Sequence, residues 1–130
     1  MYISTSNGIT VSVTPIFLED QSDPDEHHYV WAYQVRIENN GPITVQLRER
    51  YWHITDANGL VQEVRGAGVV GEQPILRPGQ SFEYTSGTPL ATPSGMMVGS
   101  YQMQTDNGDR FDVAIPAFSL DSPHQVIKLN

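Results

Sequence analysis

With 130 residues the chain suits one domain whose core needs no metal or disulfide staple, and without cysteine it excludes a disulfide framework, a thiolate metal centre and a cysteine nucleophile. Seven basic against fifteen acidic residues give a formal charge of −8, which repels nucleic acid at long range and excludes it as a general partner. The start, residues 1–8, has neither the basic head nor the apolar run of a secretory signal, and no run is long enough to span a bilayer, so a cytoplasmic protein without membrane insertion is expected.

Apolar and polar residues alternate between turn signals along nearly the whole chain, the period of half-buried antiparallel strands. Residues 9–18 alternate cleanly up to Pro15, whose missing ladder donor predicts an edge strand or a bulge. Residues 19–28 contain nothing to bury and form a solvated acidic loop. The clearest strand follows: Tyr29, Trp31, Tyr33, Val35 and Ile37 share one face, with Gln34, Arg36 and Glu38 on the other. After the turn Asn39-Asn40-Gly41-Pro42, Val45 and Leu47 point inward on odd positions, whereas Trp52 and Ile54 claim the same face on even ones. A bulge between Arg48 and Tyr51 is therefore predicted, and among otherwise scattered basic residues Arg48 and Arg50 are the pair that could share a local patch.

Asp56-Ala57-Asn58-Gly59 turns the chain into a strand over residues 60–65, and a glycine loop follows. Phe82 and Tyr84 point inward from the next strand, and residues 88–95 read as a long crossover between sheets. Gly99, Tyr101 and Met103 then share a face, and Phe111, Val113 and Ile115 return after Asp106-Asn107-Gly108. The sum is an all-β, immunoglobulin-like or fibronectin type III-like sandwich of about seven antiparallel strands. A single domain spans 1–130, its core over about 9–120. The tail, 121–130, contains the apolar run 126–129, which is expected to dock somewhere.

Several blocks in order carry a family resemblance. They are Gln21-Ser22, Tyr29-Val30 with Ala32-Tyr33, Arg50-Tyr51-Trp52, Ile54-Thr55, Asn58-Gly59, residues 66–74 and Pro78-Gly79. Tyr84-Thr85-Ser86-Gly87, Thr92-Pro93 with Gly95, Tyr101 with Met103, and Ile115-Pro116 with Phe118 complete them. Through these the chain resembles the bacterial ApaG proteins from about Val11 to Leu120. The resemblance implies a fibronectin type III-like sandwich, an association with low-level cobalt resistance and magnesium efflux, and a protein-binding role. It brings no catalytic residues, since none is established for the family.

The stretch Gly66-Ala67-Gly68-Val69-Val70-Gly71-Glu72-Gln73-Pro74 has the glycine spacing of a nucleotide loop, but Pro74 and Pro78 forbid the helix whose N-terminus would hold a pyrophosphate. Gly66, Gly68, Val69, Val70, Gly71, Glu72 and Gln73 are read instead as a partner or ligand loop, in which exposed Val69 and Val70 form a small apolar patch with a polar rim. The competing reading is that both valines close the core. Asp23, Asp25, Glu26, His27 and His28 are weak candidate ligands for Mg²⁺ or Co²⁺, because adjacent histidines in an extended chain diverge and no known metal spacing is matched. The aromatics Tyr29, Trp31, Tyr33 and Trp52 are read as core.

No nucleophile beside a base is legible, so a non-enzymatic binding or regulatory domain without a cofactor is expected, acting on an unidentified protein partner. A homo-oligomer is left open. The runner-up is a small-ligand or divalent-metal-binding protein, and an enzyme acting on nucleotides comes third.

Overall fold

The period-two segments all become strands in the computed structural model, which describes residues 1–125. In chain order these are β1 (Tyr2–Ser6), β2 (Ile9–Phe17), β3 (Tyr29–Asn39), β4 (Val45–Asp56), β5 (Val61–Ala67), β6 (Ile75–Leu76), β7 (Ser81–Leu90), β8 (Gly95–Thr105) and β9 (Arg110–Leu120). They build two antiparallel sheets, one ordered β1-β2-β3-β7 and the other β5-β4-β8-β9, with β6 paired to the start of β4. The seven expected strands are all present. The two additions are β1 and the two-residue β6. The apolar run 126–129 lies outside the described residues, among which no helix is long and apolar enough to cross a membrane.

Alternation decides what is buried. Trp31, Tyr33, Val35 and Ile37 of β3 face Leu47, Trp52, Tyr101, Met103, Val113 and Ile115 of the second sheet, in one cluster between the sheets. Tyr33 and Trp52 meet edge to face, ring centroids 5.3 Å apart, and Trp52 meets Phe118 nearly perpendicularly at 5.8 Å. Each large side chain buried here stabilises by about 1.5–3 kcal/mol, whereas an exposed pair such as Arg36–Glu83 at 2.8 Å contributes about 1 kcal/mol at most, so the core holds the sandwich together. Buried polar groups are satisfied. The Trp31 indole N–H donates to the Asp121 carbonyl at 2.8 Å, and buried Asn39 donates to the Ile43 and Leu76 carbonyls, which fixes β6 beside β4.

Three expectations change. First, β2 is not an edge strand, since β1 covers it; but β1 ends against Val13, so Pro15 lies beyond it on a local edge where its missing donor costs no ladder bond. Second, residues 88–90 continue β7 to pair with β3, leaving only residues 91–94 to cross between the sheets. Third, Phe82 and Phe111 are half-buried at the margin of the core rather than inside it.

The predicted bulge is present at Arg48. The register of β4 against β8 shifts between Leu47 and Glu49, so Val45 and Leu47 are buried on one parity and Trp52 and Ile54 on the other.

The two flanks of the sandwich differ. On one, β1 is stitched to β9: Ser4 Oγ donates to the Ala114 carbonyl at 3.1 Å, the Ala114 N–H donates to Ser6 Oγ at 3.0 Å, and the Asn7 amide donates to the Asp112 carbonyl at 3.1 Å. On the other, β7 and β5 are the terminal strands of their sheets, and β5 is exposed along most of its length.

Candidate functional site: the glycine loop and an inward arginine

Because the bulge falls at Arg48, the even parity that turns Trp52 and Ile54 inward turns Arg50 inward with them. Arg48 instead stays on the outer side, donating to Gln46 Oε1 at 3.2 Å, so the two arginines do not form the expected patch. Arg50 is half-buried and its guanidinium reaches the open flank, where Nη1 donates to the carbonyls of Ala67 at 3.2 Å and Gly68 at 2.9 Å. Gly66, directly opposite on β5, makes room for it: a Cβ there would lie 2.8 Å from Nη1.

The bulge also fastens the loop. The Arg48 carbonyl accepts from the Gly68 N–H and from the Gln73 amide, both at 2.9 Å, while the Leu47 N–H donates to the Pro74 carbonyl at 3.0 Å. Between these anchors the chain makes a tight turn in which Val69 and Glu72 exchange backbone bonds of 2.8 and 2.9 Å. Gly68 adopts φ +65°, and a Cβ would sit 2.2 Å from the Glu72 carbonyl oxygen, so glycine is required there.

The loop residues therefore divide. Gly66 belongs to β5, Val69 is fully buried in the core cluster, and Gln73 is engaged with the bulge. The expected patch of two valines is corrected to one. Val70 is 56% exposed, at the tip of the turn with Gly71 and Glu72. The two readings of the valines are each right for one of them, because successive residues in the turn point to opposite sides. Val70 also has φ +44°, a left-handed conformation rarely held by a β-branched residue.

Beside Arg50, a hollow of about 320 Å³ opens between the sheets, its walls including Tyr33, Trp52, Tyr84, Ser86 and Gly71. Three phenols converge near it. The hydroxyls of Tyr84 and Tyr101 are hydrogen-bonded to each other. Burial pushes the phenols of Tyr33, Tyr84 and Tyr101 above the ordinary tyrosine value, against the Arg50 charge, which favours their ionised forms. Among the described residues no carboxylate lies within ion-pair distance of Arg50.

The acidic loop is elsewhere. Asp23 and His28 exchange backbone bonds of 2.7 and 3.0 Å around a 3-10 turn at Pro24–Glu26, and His27 caps it at φ +52°. Asp23, Asp25, Glu26, His27 and His28 are exposed, and among the described residues no three histidine or carboxylate side chains are grouped to hold a metal ion.

Sequence reasoning assigned Arg50 to the surface and gave the tyrosine hydroxyls no role. The signal was present in the phase change itself, since a bulge ahead of Arg50 places it on the Trp52 face.

Comparison with known proteins fits this geometry. The family described as the ApaG domain matches residues 19–105. Protein ApaG of Paramagnetospirillum magneticum is 63% identical over 130 residues, covering all of both chains. Protein ApaG of Agrobacterium fabrum is 59% identical over the same full length. A crystal structure of a Bordetella pertussis protein described as ApaA superposes with a TM-score of 0.86 at 53% identity, covering 90% of this chain and 95% of that one. From Gln21-Ser22 at the end of the first 3-10 turn to the paired Tyr84 and Tyr101, the blocks that suggested the family sit in one fold, and the chain belongs to the ApaG domain family.

Proposed function

We propose that the chain is a non-enzymatic, cytoplasmic binding or regulatory domain that captures a protein partner at the open flank, through the turn 69–72 and the adjoining edge strand β5. The observation that carries this reading is Val70. An apolar, β-branched side chain is displayed to solvent from a left-handed backbone that costs about 1–3 kcal/mol, and such outliers concentrate at binding and switch sites. Leu60 just ahead of β5, Val61 and Val64 along it and Ile75 of β6 are also exposed, and the outer edge of β5 offers unpaired backbone groups to an incoming strand. The family's association with Co²⁺ resistance and Mg²⁺ efflux is then exerted through the partner, with no ion held by this chain.

The test compares Val70→Gly with Val70→Ser in affinity capture from native cells and in thermal melting. Val70→Gly relieves the backbone strain, so it should melt no lower than the parent while capture is lost. Capture undiminished in both variants would reject the surface.

A further inference from the structure

We propose that the hollow beside Arg50 is a binding site for a compact monocarboxylic acid, which pairs side-on with the guanidinium. Arg50 Nη1 is already committed to the carbonyls of Ala67 and Gly68, which fixes the orientation of the planar group. The Nε and Nη2 donors on its other edge form a parallel pair, the geometry that matches the two oxygens of a carboxylate. No acidic side chain is placed to take that role among the described residues, so an inward-facing, half-buried cation has its counter-charge unsupplied by the fold.

The walls set the ligand class. Ser86 contributes a hydroxyl at the hollow and Gly71 backbone, while Tyr33, Tyr84 and Trp52 are buried and present only the margins of their rings, so a small body touches ring edges beside a mostly polar wall. A volume of about 320 Å³ is at the small end for ligand sites, which favours a ligand of the size of benzoate. Arg50 is the single cation lining the hollow, and the chain carries a formal charge of −8. One guanidinium balances one negative charge, and the surrounding field opposes a phosphate dianion or polyphosphate. Phenols are neutral at pH 7 in any case, and burial moves those of Tyr33 and Tyr84 further from ionisation, so neither competes with the ligand as an anion.

The experiment is a titration of the ¹⁵N-labelled full chain with sodium benzoate, with sodium chloride at matched ionic strength, benzamide and inorganic phosphate as parallel arms. Expected is a saturable shift of the Arg50 Nε–H and of the Gly71 and Ser86 amides, with a Kd on the order of 1 mM or tighter. Benzamide, lacking the charge, should leave these resonances unmoved, and phosphate should bind more weakly than benzoate. Arg50→Lys, which keeps the charge but not the fork, should weaken benzoate binding at least roughly tenfold. The assignment is overturned by an unsaturable benzoate response, by equal shifts with benzamide, by tighter phosphate binding, or by undiminished affinity in Arg50→Lys. The wild-type arms need no variant to fold. Loss of partner capture in Val70→Gly is read separately from any of these shifts.

Discussion

Arg50 and Gly66 are paired across the β4–β5 ladder, and the guanidinium occupies the space that any side chain at position 66 would claim. The atoms it would displace are the far end of a flexible side chain, so the backbone need not move. Gly66→Ala should therefore leave the fold intact, costing about 1–2 kcal/mol from weakened bonds to the Ala67 and Gly68 carbonyls. Chemical denaturation measures the cost, and the benzoate titration should show the larger loss.

Gly68→Ala makes the contrasting case. Its Cβ would collide with a backbone carbonyl, and the positive φ adds strain of about 1–3 kcal/mol for any non-glycine residue. The turn 69–72 should open, lowering the melting temperature more than Gly66→Ala does and exposing Val69.

Trp52→Ala removes an indole that is 3% exposed and packed edge to face on Tyr33 and Phe118. A loss of about 3–5 kcal/mol is expected in equilibrium unfolding, because so large a cavity between two hydrogen-bonded sheets collapses poorly.

Alkali should destabilise the protein through its buried phenols. Tyr33, Tyr84 and Tyr101 have folded-state pKa values above the unfolded value of 10.0, so folding favours their protonated forms. Below pH 10 the phenols are neutral in both states and carry no penalty. Above it the unfolded chain releases protons that the folded one retains, and stability falls by about 1.4 kcal/mol per pH unit for each such group. Denaturant midpoints measured from pH 9 to 12 should decline, and Tyr84→Phe should decline less steeply.

At the acidic loop, alanine at both His27 and His28 should leave Co²⁺ and Mg²⁺ affinity unchanged by calorimetry. Their side chains are exposed and join no group of three ligating residues among the described ones. A saturable micromolar isotherm abolished by the double substitution would identify a site here.

Six of the longer strands were legible because each carries enough inward apolar residues to reveal period two, whereas β5, exposed along most of its length, was legible from the turn Asp56-Ala57-Asn58-Gly59 ahead of it. β1 was not, for its inward positions include Ser4 and Ser6, which bond to β9, while apolar Ile3 faces solvent. β6 has only two residues and is held by the Asn39 side chain, a long-range bond with no local pattern. The bulge is legible as a change of parity, and the same parity carries Arg50 inward against the usual exposure of an arginine. The division between Val69 and Val70 lay beyond reach, since it depends on a turn closed between Val69 and Glu72 and anchored on the distant Arg48 carbonyl.

The unequal flanks make the sandwich resemble a book bound along one spine. Side-chain stitches between β1 and β9 hold the covers at the spine, so amide exchange there should require unfolding of the whole molecule. At the fore-edge β5 can lift away from β4 by losing one ladder and the Arg50 clasp, leaving both sheets otherwise whole. Breathing at this margin would admit a strand beside β5 while the rest of the fold stays shut.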